Sequence, residues 1–321
     1  MNPKEHILNR LENAQTPISG SLLAQETGIS RSMVWKYIAA LQKDGFLIVS
    51  GRRGYQLSQT EGRLSRFGIE RFLKTPDCRV LLYDCVDSTN LVLRELARQG
   101  APEKTVVLTQ HQTAGRGRRG KEFYSPSGSG LYMSLLLRPA LQAQQAIQIT
   151  TCAAVAVCRA IEKLTGQSVS IKWVNDLWIN EKKVCGILTE AVMNLETGDL
   201  DAVILGIGIN LFPPEGGFPS PLQKIAGAIA TRETVDRNFC CRLTAQVIDE
   251  FFALYNDLPE NNCYSEYRRR SALIGRKIFV LENRPYQAQV LDVEPDFGLR
   301  ILSENGEEKV LRSGEVSTRL Y

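Results

Sequence analysis

The chain has 321 residues, 43% hydrophobic and 23% charged, with a formal net charge of +4. That is enough for two or three domains with a substantial core, and too apolar for a disordered protein. Residues 1–64 hold eight Lys/Arg against five Asp/Glu, so +3 of the +4 falls in the N-terminal fifth, where a nucleic-acid module would put it.

Lys4 to Asn13 carries Ile7, Leu8 and Leu11 at helical spacing. A second helix starts at a Ser19/Ser21 cap and runs through Leu22, Leu23 and Ala24, and Gly28 suits a sharp turn. Ser30 caps a third helix, Arg31 to Asp44. Its Val34, Ile38 and Leu41 form one face, while Arg31, Ser32, Trp35, Lys36 and Gln42 lie largely off it. This is the layout of a helix-turn-helix, over about residues 20–39. Phe46 to Val49, a turn through Gly51-Arg52-Arg53-Gly54, and Tyr55 to Leu57 add a two-stranded wing tipped by two arginines. The module 1–64 is expected to bind DNA through Ser30, Arg31, Ser32, Trp35 and Lys36, with Arg52 and Arg53 adding salt-dependent affinity at the backbone. The competing reading is a three-helix interaction domain whose charges only keep it in solution. Helix, turn, helix and basic wing arriving in that order favour DNA.

Gly62 to Thr75 leads into a central domain, with Phe67, Ile69, Phe72 and Leu73 suggesting a short docking helix. After a strand at Val80 to Tyr83, Asp87-Ser88-Thr89-Asn90 stands where a helix begins, continuing through Leu93, Leu96 and Ala97 to Gly100. The hydroxyls of Ser88 and Thr89 serve either as caps or as binders of a small polar ligand, using donors the helix leaves free.

A short buried strand, Thr105 to Gln110, opens into the cationic stretch Gly115-Arg116-Gly117-Arg118-Arg119-Gly120-Lys121. Glycines at 115, 117 and 120 are expected to give the backbone positive φ and close approach to a ligand. Four cations within six residues can share a phosphate or carboxylate with backbone N–H groups. The spacing is that of neither a P-loop nor a dinucleotide fingerprint. Taken alone, such a segment reads first as a solvated or RNA-contacting loop.

Gly130 to Leu137 is a strand and Gln142 to Leu164 a long helix; the uncharged run Leu141 to Cys158 contains several glutamines and suits a buried helix, not a membrane span. Val169 to Ile179 sets Lys172, Asn175 and Asp176 among apolar neighbours, where polar groups need partners. A hairpin through Asn180-Glu181-Lys182 leads to Lys183 to Glu190, and Asp201 to Ile209 is a further buried strand. Hairpins outnumber βαβ units, so residues 65–271 read as a mixed α+β domain. Leu222 to Ala230 and Arg237 to Leu258 read as helices. From Ile274 onward come short strands, Lys277 to Leu281, Tyr286 to Val293, Leu299 to Leu302, Lys309 to Leu311 and Val316 to Leu320, with an Asn305-Gly306 turn, which suggest a small β-barrel over 272–321. Eight cysteines without a CxxC pair, and without metal-type spacing to His6 or His111, are expected to be reduced thiols of a cytoplasmic protein. The N-terminus lacks the apolar core of a signal peptide.

Asp87-Ser88-Thr89-Asn90, Gln112 with Gly115 to Gly120, Lys172-Trp173-Val174-Asn175-Asp176, Lys183 with Gly186-Ile187-Leu188, and Gly206 with Gly208-Ile209-Asn210 resemble, in that order, the motifs of biotin protein ligases. With a winged helix in front, the whole chain is similar to the bifunctional bacterial ligases that also repress biotin genes. The family usually has proline where Val174 stands and tryptophan where Phe123 stands; neither departure removes a charged or hydrogen-bonding group.

The resemblance implies a winged helix-turn-helix, a ligase domain of the biotin/lipoate type and an SH3-like C-terminal barrel. It implies that biotin and ATP, with Mg2+, give biotinyl-5′-AMP and pyrophosphate, and that biotin then passes to a lysine of a biotin carboxyl carrier protein. On that basis Ser88, Thr89 and Gln112, aided by the backbone around Arg116 and Gly117, are expected to satisfy the ureido ring of biotin and Lys183 to meet its carboxylate, with Asn90 and Arg118 also expected among the biotin-binding residues. Arg116, Arg118, Arg119 and Lys121 are expected on the phosphates, and Lys172, Asn175 and Asn210 on the nucleotide. Lys183, Arg118 and Asp176 are the expected catalytic residues, Asp176 acting either near the metal and ribose or as acceptor for the incoming lysine ammonium. Leu211 to Pro221 is expected to fold over the reactive adenylate. The retained adenylate would be a corepressor that promotes a homodimer on two-fold operator DNA, with no membrane partner. A biotin-sensing transcription factor without ligation, or a lipoate-attaching acyltransferase, are the other readings. Lys183 with its cationic loop argues against the first, and the winged helix against the second.

Overall fold

A computed structural model describes residues 2–58, 64–139, 146–193, 200–258, 263–281 and 285–318. They fall into two compact units, Met1–Leu73 with Val235–Arg242, and Lys74–Thr234 with Leu243–Tyr321.

The first unit begins with α1 (Pro3–Glu12), α2 (Gly20–Thr27) and α3 (Arg31–Lys43). Each starts on a side chain that accepts a free backbone N–H of its first turn: Asn2 from Lys4, Ser19 from Leu22, Ser30 from Met33. Gly28 ends α2 at φ +69°, as the turn requires. Ile7, Leu8 and Leu11 of α1 pack with Leu23 of α2 and Val34, Ile38 and Leu41 of α3 in one core. The wing follows as β1 (Ile48–Gly51) and β2 (Gly54–Leu57), antiparallel, with Gly51 opposite Gly54 and the two arginines between them. Gly54 lies so close to the α1–α2 linker that a Cβ would stand 2.1 Å from the Ile18 carbonyl oxygen. Helix α4 (Arg66–Phe72), capped by Ser65, is tied to α1 where Arg71 meets Glu12 at 3.0 Å.

The second unit contains β3 (Arg79–Leu82), α5 (Thr89–Arg98), β4 (Thr105–Thr109), β5 (Gly130–Leu137), α6 (Ala146–Thr165), β6 (Ser170–Lys172), β7 (Asp176–Ile179), β8 (Lys182–Met193) and β9 (Leu200–Asn210). The first part of the helix expected from Gln142 lies outside the described residues. The strands form one seven-stranded sheet in the order β3-β4-β5-β9-β8-β7-β6. Only β3 and β4 are parallel, joined through α5; every other pair is antiparallel. Helix α5 buries Leu93 and Ala97 against Val107, Leu136 and Ile204 on one face of the sheet. On the other face Thr150 of α6 meets Thr189 of β8, hydroxyl to hydroxyl, at 2.7 Å. The Trp173–Val174 peptide in the β6–β7 turn is cis.

The β7–β8 ladder is irregular. Asp176 faces Gly186 and Leu177 faces Cys185, but Trp178 faces Lys183, so Val184 is left out of the pairing. In an unbroken strand Lys183 would project to the side of Cys185; the extra residue turns it to the side of Gly186 and Asp176.

Leu222 to Ala230 is not a helix. Its backbone turns and pairs with the start of β8 instead: Lys183 N–H donates to the Ile225 carbonyl at 2.7 Å and Gly227 N–H to the Lys183 carbonyl at 2.8 Å. Gly227 in the middle of the stretch costs about 1 kcal/mol as a helix residue, and the pairing with Lys183 takes the helix's place. Helices α7 (Phe239–Tyr255) and α8 (Tyr264–Arg269) follow. Arg270 then forks onto Glu162 of α6 at 2.6 Å, and the Tyr267 hydroxyl donates to the Val174 carbonyl at 2.9 Å. The chain continues as β10 (Lys277–Val280), β11 (Tyr286–Val293), β12 (Leu299–Ser303), β13 (Glu308–Leu311) and β14 (Val316–Ser317), a five-stranded antiparallel sheet in the order β13-β12-β11-β10-β14. This is the β-rich C-terminal module expected there; residues 319–320 of its last expected strand lie outside the described residues. All eight cysteines are thiols. Among the described residues no helix is long and apolar enough to cross a membrane.

Candidate active site

The floor of the site is built around glycines. Gly186, Leu188 and Glu190 of β8 share one face and stand opposite Gly208, Gly206 and Ile204 of β9. A Cβ on Gly208 would lie 2.7 Å from the Phe123 ring and one on Gly186 2.9 Å from it, while one on Gly206 would lie 2.3 Å from Asn90 Oδ1. Phe123 and Asn90 therefore rest directly on the sheet.

Phe123 closes the cationic stretch, which is a tight hairpin: Gly117 N–H donates to the Lys121 carbonyl at 2.7 Å, Phe123 N–H to the Gly115 carbonyl at 2.9 Å, and Arg116 pairs with Glu122. The expected positive φ is found only at Gly120 among the three glycines. Gly115 is needed for closeness instead, since a Cβ there would lie 2.3 Å from the Phe123 carbonyl oxygen.

One wall is the start of α5. Ser88 occupies the capping position but makes no side-chain capping bond. Thr89 donates its N–H and its hydroxyl to Gln112 Oε1, at 2.9 and 3.2 Å, and Gln112 Nε2 donates to Ser125 Oγ at 3.0 Å. Ser134 Oγ stands 2.7 Å from Thr89 Oγ1 and 2.6 Å from Asn90 Oδ1. Asn90 Nδ2 donates to Glu190 at 2.7 Å, so both ends of its amide are engaged inside the protein. Arg116 reaches the same carboxylate, at 3.5 Å.

The opposite wall carries the charge. Lys183 Nζ meets Asp176 at 2.7 Å and lies 5.6 Å above the Phe123 ring. Arg118 donates to Asn175 Oδ1 at 3.0 Å and to the Gly314 carbonyl at 3.3 Å. Burial pushes the Arg118 guanidinium pKa down while Asp176 pulls it up. Asn175 is fixed by donating to the Ile187 carbonyl at 2.7 Å. Arg119 and Lys121 are exposed at the hairpin end, where Lys121 pairs with Glu315.

Ser88, Thr89, Asn90, Gln112, Arg116 to Arg119, Lys121, Asn175, Asp176 and Lys183 all line one cavity, as do Gly314 to Val316. Two expected members stand apart from it. Lys172 lines an adjoining cavity with Trp178 and Arg276, its ammonium 5.2 Å from the Trp178 ring, and burial lowers its pKa. Asn210 braces the Lys183 backbone by donating to the Gly227 carbonyl at 2.9 Å. The cavity's described lining includes none of residues 211–221; Leu211 and Phe212 are buried, both donating to the Ser129 carbonyl. Among the described residues there is no group of three or more His, Cys, Asp or Glu that could hold a metal ion. Asp176 is committed to Lys183, so the side chains present do not build a metal cage.

Sequence reading missed Glu190, Ser134 and Gly314 to Val316. Their contacts join segments far apart in the chain, such as Asn90 to Glu190 across 100 residues, and no local pattern signals them.

In the first unit the expected DNA-contacting groups are all exposed. Arg31, Ser32, Trp35 and Lys36 of α3 are exposed, Trp35 to 62%, as are Arg52 and Arg53 of the wing. Ser30 Oγ is held by capping and by Ser32 Oγ at 2.8 Å.

A model of the biotin/lipoate A/B protein ligase family matches residues 82–210, and a helix-turn-helix domain model matches residues 4–56. The chain is 42% identical over 225 residues to the bifunctional ligase/repressor BirA of Bacillus subtilis (strain 168), covering 68% of this chain and 69% of that one. It is 33% identical over 315 residues to the bifunctional ligase/repressor BirA of Escherichia coli (strain K12), covering 94% and 92%. The solved structure of the biotin protein ligase from Aquifex aeolicus in complex with biotin and ATP is similar at a TM-score of 0.62 and 26% identity, covering 74% of this chain and 97% of that one.

Proposed function

The chain belongs to the biotin/lipoate A/B protein ligase family, and from that membership we propose that it activates biotin with ATP, passes it to a lysine of a biotin carboxyl carrier protein domain, and represses biotin genes when it holds the activated intermediate. The observation that carries the catalytic part is Lys183: it lines the same cavity as the Thr89/Gln112 cluster and the cationic hairpin, turned there by a strand irregularity and paired with Asp176.

In the first half-reaction a carboxylate oxygen of biotin attacks the α-phosphorus of ATP and the bond to the pyrophosphate leaving group breaks. Both reactants are anionic, so the barrier is largely electrostatic. The Thr89 and Gln112 groups fit a ureido ring, whose N–H and C=O need an acceptor and a donor. Lys183 then faces the carboxylate, and Arg118, fixed by Asn175, faces the phosphate. Arg116, Arg119 and Lys121 extend that cationic edge. Mg2+, arriving with ATP, would offset the polyphosphate charge. In the second half-reaction the acceptor lysine amine attacks the acyl carbon, AMP leaves, and Asp176 is the nearby carboxylate suited to taking the amine's proton.

The exposed face of α3 and the wing arginines supply the DNA contacts. A homodimer formed with bound biotinyl-5′-AMP would match a two-fold operator, and the cytoplasm is the compartment we propose for it.

ATP–pyrophosphate exchange with purified protein, Mg2+ and either biotin or lipoate tests this. Exchange with biotin is expected. Exchange with lipoate alone would move the chain to the lipoate branch of the family, and none with either would leave a sensor without ligase activity.

A further inference from the structure

Glu190 does not line the cavity, yet it touches both sides of it. It lies on the floor face of β8, two residues beyond Leu188, with its side chain 16% exposed. Oε2 accepts from Asn90 Nδ2 at 2.7 Å, while Oε1 takes Arg94 of α5 at 2.8 Å and Arg116 of the cationic hairpin at 3.5 Å. One carboxylate thus joins the start of α5 to the hairpin, and two guanidinium groups compete for one of its oxygens.

We propose that Glu190 is a positioning residue that latches the cationic hairpin against α5 through Arg116, and so sets how long the acyl-adenylate is retained. This rests on the ligase assignment. The latch is releasable by construction: Arg116 is 40% exposed, so its pair with Glu190 is partly screened by solvent and salt. Arg94 holds the same oxygen at the shorter distance and weakens the hold on Arg116. Asn90 is steadied through its amide, which couples the floor at Gly206 to the same carboxylate.

The test is the release rate of preformed biotinyl-adenylate, measured in the full chain after a chase with unlabelled biotin, at low and high salt. Glu190→Gln is expected to speed release about threefold, the scale of a partly exposed ion pair, and to raise the biotin KM by more than it changes kcat. Salt should speed release more in the unaltered protein than in Glu190→Gln, the difference being the part carried by the Arg116–Glu190 pair. Adding Glu190→Gln to Arg116→Ala should speed release by clearly less than the product of the two single effects, because the two share one contact. Arg94→Met should act in the opposite direction and slow release; it remains informative if Glu190→Gln fails to fold. Multiplying effects in the double variant, or release at the original rate in both Glu190→Gln and Arg94→Met, would overturn the latch. Absence of any adenylate in the unaltered protein would overturn the ligase assignment itself, a different outcome.

Discussion

Lys183 and Asp176 meet at 2.7 Å because Val184 drops out of the ladder between their strands. The pair has a division of labour that can be tested. Lys183→Ala removes the cation facing two anionic reactants, so exchange should fall by at least about a thousandfold with the far-UV circular dichroism unchanged. Asp176→Asn keeps the shape and loses the proton acceptor. It should slow transfer from preformed adenylate more than adenylate formation, and equal loss in both halves would leave Asp176 only the task of holding Lys183.

Gly208→Ala tests the floor. A Cβ there would stand 2.7 Å from the Phe123 ring, with β9 backbone behind it. Either ring or strand must move, at a cost of about 1–3 kcal/mol for overpacking. Urea denaturation should report that loss, and the biotin KM should rise because Phe123 closes the hairpin. Combining the change with Phe123→Leu should return stability but not binding, since Lys183 loses the ring beneath its ammonium.

Much of the first unit is written locally. Ser19 and Ser30 cap because each precedes an apolar helical period, and Gly28 and the paired wing glycines mark turns that few other residues make. The ligase motifs were legible as sets of residues, and most of those residues do share a cavity. Their geometry was not legible. The face that Lys183 occupies depends on a skipped pairing at Val184, and Gly115 is required by a neighbour eight residues on, not by its own φ. The stretch Leu222 to Ala230 has helical composition but is captured by the backbone of Lys183, a tertiary choice that overrides propensity.

The wing arginines are exposed and have no catalytic neighbour in their own unit. Replacing Arg52 and Arg53 with Ala should weaken operator binding and reduce the slope of log affinity against log salt by about 2, one phosphate contact each. Fluorescence anisotropy across a salt series would show it, and exchange activity should stay unchanged. An unaltered slope would remove the wing from the DNA contact.

Lys172 gives a pH signature. Burial lowers its pKa from the ordinary lysine value of 10.5, so the native state binds fewer protons than the unfolded chain in the window below that value. Stability from this group therefore rises with pH through the window and is complete once the unfolded lysine has also lost its proton. Lys172→Met should be stabilising near neutral pH, and its advantage over the unaltered protein should shrink towards pH 10.5. Urea midpoints measured in parallel from pH 7 upward would decide it; a constant difference would mean that the lysine titrates alike in the folded and unfolded chain.

The Arg118 guanidinium donates to the carbonyl of Gly314, 196 residues further along, and Lys121 pairs with Glu315 beside it. A ribosome makes the hairpin long before it makes the turn that grips it. A nascent or truncated chain that has folded its seven-stranded sheet would still lack a wall of the cavity, and would leave Arg118 without that contact. Formation of the site is thereby tied to the C-terminal module: this wall of the cavity exists only once the five-stranded sheet has been synthesised and docked.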